Sequence, residues 1–178
     1  FAGLRATMGA EGVDPLYVKQ RTAAEKAGVL VVSYGLIYPR PGTGGAQIEH
    51  LSRTAGTGSI LSGDAEPPDN FPPALPAAWR EVLYDFTCEG SKLSAMPPLI
   101  YGSPSFLRAL ALPYDMFGAP LWIADWRARL LPEVPGPWKR EASRQTGLAP
   151  SSVSATPLDY DRFDGTLEEL RSALSWRP

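Results

Sequence analysis

The sequence predicts an α/β fold in which strands and helices alternate and the strands form a parallel sheet. Two observations favour this fold. Continuous apolar runs, such as residues 29–34 and 121–124, are typical of strands buried on both faces. Segments with helical spacing of apolar residues lie between such runs, so that the chain opens as strand, helix, strand. This order predicts a parallel sheet, either open or closed into a barrel.

The first half of the chain supplies three predicted strands: Phe1–Thr7, Val29–Tyr34 and Gly58–Gly63. A loop over Met8–Val13 follows the first strand. Asp14 is the expected cap of the first helix, with Pro15 at its first position and Gly28 at its end. We expect one face of this helix to contain Leu16, Gln20, Ala23, Ala24 and Ala27. A second helix is predicted over Ala46–Ala55.

The second half continues the alternation. Four residues at helical spacing predict a helix with a core-facing stripe: Trp79, Val82, Leu83 and Phe86. Strands are expected at Pro98–Tyr101 and Leu121–Ala124, with a helix over Ser103–Leu110 between them. Residues 127–157 lack clear periodicity. Leu158–Phe163 then leads into a final helix capped by Thr166.

The composition predicts one domain over residues 1–178 and excludes several classes of function. The chain has 178 residues, 44% of which are hydrophobic, which is enough for one domain with a core. Its net charge is −2, so it lacks the excess of basic residues that is typical of nucleic-acid-binding proteins. His50 and Cys88 are the only residues of their types, which excludes a multi-histidine or cysteine-based metal site. No apolar run approaches the length of a membrane span. We expect no cofactor and no metal, and the start at Phe1, within a predicted strand, suggests a fragment or processed product.

The segment Asp64-Ala65-Glu66 is the strongest candidate for chemistry. Alternate residues of a strand project to the same face, so both carboxylates are expected to point together where the strand at Gly58–Gly63 ends. Two adjacent carboxylates repel, so one keeps its proton while the other ionises, which suits general acid–base catalysis. The alternative is a solvated turn, because aspartate and the following Pro67-Pro68 are ordinary turn residues.

Several segments, in order, resemble glycoside hydrolase family 25, the lysozyme-type muramidases. Residues 5–9 with Asp14-Pro15 are similar to the family's Lys-Ala-Thr-Glu-Gly segment and the aspartate after it. Residues 23–34 resemble its helix, Ala-Gly turn and strand, and Asp64-Ala65-Glu66 falls at its Asp-x-Glu. Residues 98–101, 120–126 and 158–165 resemble its Pro-Ile-Ile-Tyr, Leu-Trp-Ile-Ala and closing Val-Asp-x-Asn-x-Phe-x-Gly segments.

This resemblance implies an irregular (β/α) barrel of the TIM type whose first strand precedes Phe1. It implies cleavage of the β-1,4 bond after N-acetylmuramic acid in peptidoglycan. We expect the chain to act outside the cytoplasm or after delivery there, as by a phage particle, with peptidoglycan and a larger phage or cell-wall assembly as candidate partners. Glu66 would be the general acid. Asp64 would stabilise positive charge at the sugar carbon or position the acetamido group, and Asp159 would line the same cleft from the last strand.

Other residues are candidates for substrate binding. Tyr34 and Tyr101 end predicted parallel strands, and either hydroxyl can reach the cleft or simply pack. Trp126 is a candidate for stacking on a sugar ring, whereas Trp122 is expected in the core. Asp125 is a candidate binding residue, although for it and for Asp161 a plain surface position is favoured.

The chain also departs from the family pattern. Met8 replaces a glutamate, Gly35 replaces a histidine expected in the cleft, and Arg144-Gln145-Thr146 is the nearest match to the family's Trp-Gln-Tyr strand. These differences keep two alternatives open. One is a glycan-binding or structural module that has lost turnover; the other is a hydrolase for a different polysaccharide.

Overall fold

A computed structural model describes residues 1–67, 75–94, 96–113, 116–126, 133–148, 158–163 and 165–174. Within these ranges, eight strands form one sheet. They are β1 (Ala2–Met8), β2 (Gly12–Val13), β3 (Val31–Leu36), β4 (Ile60–Asp64), β5 (Leu99–Gly102), β6 (Leu121–Ala124), β7 (Ser143–Leu148) and β8 (Asp159–Arg162).

The strand order is β2-β1-β3-β4-β5-β6-β7-β8. The six inner strands, β1 and β3 to β7, pair in parallel. The two edge strands, β2 and β8, pair antiparallel to their neighbours. The sheet is curled into an incompletely closed barrel, which confirms the predicted α/β barrel-like class. The strand expected ahead of Phe1 lies outside the chain and stays a prediction.

The helices of the described chain are α1 (Tyr17–Lys26), α2 (Gly44–Ala55), α3 (Pro76–Leu93), α4 (Pro104–Leu110) and α5 (Leu167–Leu174). The cap predicted at Thr166 is confirmed, and Ser103 also caps its helix. Ser103 Oγ accepts a hydrogen bond from the Phe106 backbone N–H at 3.3 Å, with Pro104 in the first turn of α4. Thr166 Oγ1 accepts from the Glu169 N–H at 3.1 Å, while Glu169 accepts from the Thr166 N–H at 2.7 Å, so a capping box starts α5.

Two apolar layers cover the two faces of the sheet. The outer layer packs α2 and α3 on the sheet and includes Ile48, Leu51, Val82, Phe86 and Ile100. The inner layer lies on the concave face and includes Val32, Leu99, Trp122 and Leu170. The core stripe predicted for α3 is confirmed, because all four of its residues are buried. Each such side chain contributes about 1.5–3 kcal/mol by leaving water.

The start and face of α1 differ from the prediction. The helix begins at Tyr17, because the Asp14 carboxylate accepts from the Leu16 N–H at 2.9 Å and also binds Arg5 at 2.9 Å, which forms a turn ahead of the helix. Tyr17 is the one buried residue of α1, and its hydroxyl lies 2.7 Å from Ser33 Oγ. The predicted face was wrong, since Leu16 is exposed.

Two short strands fall in segments that the sequence did not assign as strands. β2 lies in the predicted loop over Met8–Val13 and pairs with β1 through Thr7 and Val13. β7 lies in the region without clear periodicity, and its buried residues are the polar side chains Ser143 and Gln145. Because polar residues occupy the buried positions of β7, hydrophobic alternation could not reveal it.

The contact between α2 and α3 gives a test of packing at two adjacent glycines. A Cβ on Gly44 would lie 2.3 Å from the Val82 carbonyl oxygen and 2.8 Å from the Phe86 nitrogen, which are backbone atoms that cannot move aside. We expect Gly44→Ala to lower the free energy of unfolding by about 1–3 kcal/mol, measured by urea denaturation.

Gly45→Ala is the matched control. Its Cβ would meet only the flexible Glu89 side chain, at 3.2 Å from Cγ, and alanine favours helix more than glycine. This variant should be as stable as the parent or slightly more stable. Equal losses from both substitutions would show that helix-end glycine preference, rather than the close approach of α3, explains the effect.

Candidate active site

The two carboxylates of the Asp-x-Glu segment lie at the carboxyl end of β4. Asp64 is the last residue of β4 and pairs with Leu36 of β3 and Tyr101 of β5. The Ala65 N–H donates to the Tyr101 carbonyl oxygen at 2.9 Å, so the pairing continues one residue past the strand. Ala65 belongs to the outer apolar layer, and alternation therefore directs Asp64 and Glu66 to the opposite, concave side.

The environment of Asp64 favours its protonated form. Burial, followed by the neighbouring charge of Glu66, raises the pKa of Asp64 to about 8, while Arg5 acts in the opposite direction. Within the described residues, Asp64 Oδ1 and Ser62 Oγ are buried polar atoms without a hydrogen-bond partner. An Asp64 carboxylate is therefore poorly solvated, and the Asp64–Glu66 pair holds a proton near neutral pH.

Glu66 lines a cleft of about 610 Å³. Four other residues nominated from the sequence line the same cleft: Tyr101, Asp125, Trp126 and Asp159. Asp64 and Tyr34 are not among its lining residues. The parallel strands thus bring five of the seven nominated residues together. In the described part of the chain, no three His, Cys, Asp or Glu residues form a group that could hold a metal ion.

The two tyrosines lie beside the carboxylates. Burial and the charge of Asp64 raise the pKa of Tyr34 to about 12. Burial and the charge of Glu66 also raise the pKa of Tyr101 above its ordinary value. Both hydroxyls therefore keep their protons at any working pH and remain hydrogen-bond donors.

Asp125 and Asp161 are not the surface acids that the sequence favoured. Asp125 is only 6% exposed, although it borders the cleft, and its backbone N–H donates to the Gln145 carbonyl oxygen at 3.0 Å. Asp161 is half-buried and accepts from Trp122 Nε1 at 2.7 Å. Burial raises the pKa of Asp161 to about 6, while the bond from Trp122 opposes the shift. Trp122 is buried, as predicted.

Gln145 is a cleft residue that sequence reasoning did not nominate. Its side-chain Oε1 accepts from Tyr101 Oη at 3.0 Å and from Trp126 Nε1 at 2.9 Å. Trp126 is 55% exposed, so this bond holds an otherwise open indole at the cleft. The one sequence clue was the weak match of Arg144-Gln145-Thr146 to the family's Trp-Gln-Tyr strand.

Position 35 does not face the cleft. A Cβ on Gly35 would lie 2.7 Å from Thr7 Oγ1 and 3.5 Å from Leu51 Cδ2, on the side packed against α2. The expectation that Gly35 leaves a gap in the cleft was therefore wrong. This departure from the family pattern does not remove a side chain from the candidate site.

These features define a curled α/β sheet with a carboxylate pair at the end of one central strand. Solved structures of the lysozyme-type muramidases have this fold. The chain superimposes on a muramidase from Trichobolus zukalii with a TM-score of 0.82 and 24% identity, covering 98% of this chain and 87% of that one. A family GH25 lysozyme from Aspergillus fumigatus superimposes with a TM-score of 0.81 and 22% identity, covering 98% of this chain and 87% of that one. A bacterial lysozyme from Streptomyces coelicolor superimposes with a TM-score of 0.84 and 19% identity, covering 98% of this chain and 86% of that one.

The fold is therefore that of glycoside hydrolase family 25, as the sequence resemblance implied. Searches against protein-family models and against curated proteins returned no match.

The raised pKa of Asp64 predicts how stability depends on pH. Its pKa in the folded chain lies above the ordinary aspartate value of 3.8, so protonation favours folding. This stabilisation is full below about pH 4 and is lost as the pH rises to about 8. Asp64→Asn cannot ionise, so its free energy of unfolding should exceed that of the parent at pH 8 by on the order of 2–4 kcal/mol. The difference should shrink towards pH 4 in urea titrations.

Asp161→Asn provides the comparison, because asparagine keeps an oxygen that can accept from Trp122 Nε1. The pKa of Asp161 is raised only to about 6. The difference in free energy of unfolding between Asp161→Asn and the parent should therefore stop growing above about pH 6. A parent and an Asp64→Asn variant with parallel stability curves between pH 4 and pH 8 would show that Asp64 is not desolvated.

Proposed function

We propose that this chain is a peptidoglycan hydrolase of the muramidase type, which cleaves the β-1,4 bond between N-acetylmuramic acid and N-acetylglucosamine. The observation on which the proposal rests is the pairing of Asp64 with Glu66 at the carboxyl end of β4, with Glu66 facing an open cleft. Most glycoside hydrolases use two carboxyl groups. The solved muramidases and lysozymes of the same fold support the assignment.

Glu66 is the general acid in this mechanism. It lines the cleft, whereas Asp64 lies outside the lining, so Glu66 is the member of the pair that reaches the glycosidic oxygen. As the bond between the sugar carbon and that oxygen breaks, the Glu66 proton passes to the departing oxygen. Water then attacks the sugar carbon and gives a proton to the Glu66 carboxylate, which restores the acid.

Asp64 supplies negative charge in the same step. Burial and the charge of Glu66 both raise the pKa of Asp64, so the carboxyl pair holds one proton near neutral pH. When positive charge develops at the sugar carbon, the ionised form of Asp64 is favoured and the shared proton resides on Glu66. Asp64 then stabilises that charge or orients the substrate's acetamido group.

The remaining nominated residues bind the glycan. Asp159 and Asp125 border the cleft and can accept hydrogen bonds from sugar hydroxyls, while the exposed Trp126 offers an aromatic face to a sugar ring. Tyr34 lies beside the acids as a donor, whereas the Tyr101 hydroxyl donates to Gln145 Oε1 and can accept a hydrogen bond from a sugar hydroxyl. Because the substrate is peptidoglycan, the proposed site of action is the cell wall, which the chain reaches by secretion or by phage delivery, in association with a larger phage or cell-wall assembly. None of the described helices is long and apolar enough to cross a membrane.

The proposal predicts that Glu66→Gln reduces the release of reducing ends from purified peptidoglycan at least 100-fold, since glutamine keeps the shape and cannot supply the proton. Glu89→Gln is the matched control, because Glu89 lies on α3 in an exposed ion pair with Lys92 at 2.6 Å. It should keep the parental rate. Circular dichroism would verify that both variants fold.

The outcomes separate the proposed functions. Parental turnover with loss in Glu66→Gln alone supports the hydrolase. Equal rates in the parent and Glu66→Gln would refute Glu66 as the acid. Binding of peptidoglycan by the parent without any new reducing ends would favour the glycan-binding module, for which Met8 and the missing counterpart of the family's first-strand aspartate are the remaining sequence arguments.

A further inference from the structure

Gln145 is held in one orientation by two donors. Trp126 Nε1 can only donate a hydrogen bond, so the Gln145 atom 2.9 Å from it is the carbonyl oxygen Oε1. The Tyr101 hydroxyl donates to the same oxygen at 3.0 Å. Rotating the amide by half a turn would place its NH₂ group against the indole N–H, which is unfavourable. The side chain is otherwise confined, since Gln145 is only 7% exposed.

This orientation leaves the Gln145 NH₂ group available at the cleft. Gln145 lines the cleft beside Glu66, Asp125 and Asp159. No group in the described ranges accepts a hydrogen bond from Gln145 Nε2. Gln145 Nε2 is not among the buried polar atoms that lack a partner in the described residues, so it is an oriented donor open to the cleft, where an oxygen atom of a bound molecule can accept from it.

The charges around Gln145 indicate which kind of oxygen atom in a bound molecule would accept a hydrogen bond from Nε2. Ionised carboxylates only accept hydrogen bonds, so the acids along this cleft suit sugar hydroxyls, which can donate. A carbonyl oxygen cannot donate and would be repelled by these acids. Arg108, a cationic donor at the cleft, is engaged by Glu133 at 2.8 Å. The Gln145 amide is a neutral donor that can satisfy a carbonyl group without adding charge.

We propose that Gln145 is a specificity-determining residue that donates a hydrogen bond from Nε2 to the acetamido carbonyl oxygen of an N-acetylated sugar. The bonds from Tyr101 and Trp126 orient this donor before the ligand arrives, so little conformational entropy is lost on binding. The inference rests on the proposed glycan-binding cleft and extends it, because it names the residue that distinguishes an N-acetylated sugar from one with a hydroxyl at the same position.

The test compares two neutral probes, chitotetraose and cellotetraose, which differ by acetamido groups in place of hydroxyls. Binding is measured by isothermal titration calorimetry to the Glu66→Gln chain, so that hydrolysis does not interfere. In this background, Gln145→Glu keeps an acceptor for Tyr101 and Trp126 but loses the N–H donors. Gln145→Met loses both. We expect Gln145→Glu to weaken chitotetraose binding about tenfold and to leave any cellotetraose binding within twofold, and Gln145→Met to weaken chitotetraose binding at least as much.

Other results would overturn the assignment. If Gln145→Glu binds chitotetraose as tightly as its Glu66→Gln background while Gln145→Met does not, Gln145 only supports the aromatic side chains. Equal weakening for both probes, or no chitotetraose binding before substitution, also refutes it. Because binding is measured without turnover, chitotetraose recognition by a chain that releases no reducing ends would refute the proposed hydrolase and still support the role of Gln145.

Discussion

The parallel register of β3, β4 and β5 is the constraint on which the candidate site depends. It sets Asp64 beside Leu36 on one side and Tyr101 on the other. The position of β4 is itself fixed by close packing, because a Cβ on Gly63 would lie 2.6 Å from Ile37 and 2.8 Å from Phe86. A one-residue slip of β4 would exchange its faces and turn the carboxylates into the outer apolar layer. Strand pairing and glycine packing therefore determine where the acids point.

The same register makes the ionised form of Asp64 electrostatically unfavourable. Asp64 is placed where water is excluded and where Glu66 adds a second negative charge, so its ionised form is unfavourable. Arg5 reduces this cost, yet its guanidinium is also bound by Asp14 at 2.9 Å, which divides its charge between two acids. The result is a carboxyl pair that keeps a proton near neutral pH. The outer apolar layer offsets the instability of this arrangement.

Hydrophobic periodicity and strand-end chemistry were sufficient to predict the sheet, most helices and the carboxylate pair. They failed where polar or weakly apolar residues decide the structure. β7 buries Ser143 and Gln145, which give no apolar alternation. The apolar residues of helix α1 are only Tyr17, Val18, Ala23 and Ala24, so the contrast between its faces is too weak to identify the buried side. Its start depends on the Arg5–Asp14 ion pair, between residues nine positions apart, which local capping rules do not include. The burial of Asp125 likewise depends on tertiary packing.

Strand pairing connects the part of the cleft around Gln145 and Trp126 to the two acids. Gln145 pairs with Ala124 of β6, and its carbonyl oxygen accepts from the Asp125 N–H, so the backbone of β7 sets the position of the chain leading to Trp126. Its side chain then binds Trp126 and Tyr101, and Tyr101 is the strand neighbour of Asp64. A continuous path of strand pairing and side-chain hydrogen bonds thus connects the aromatic side to the carboxylate pair. Groups held in this way keep their separation when a ligand enters, which is the condition for a preorganised site.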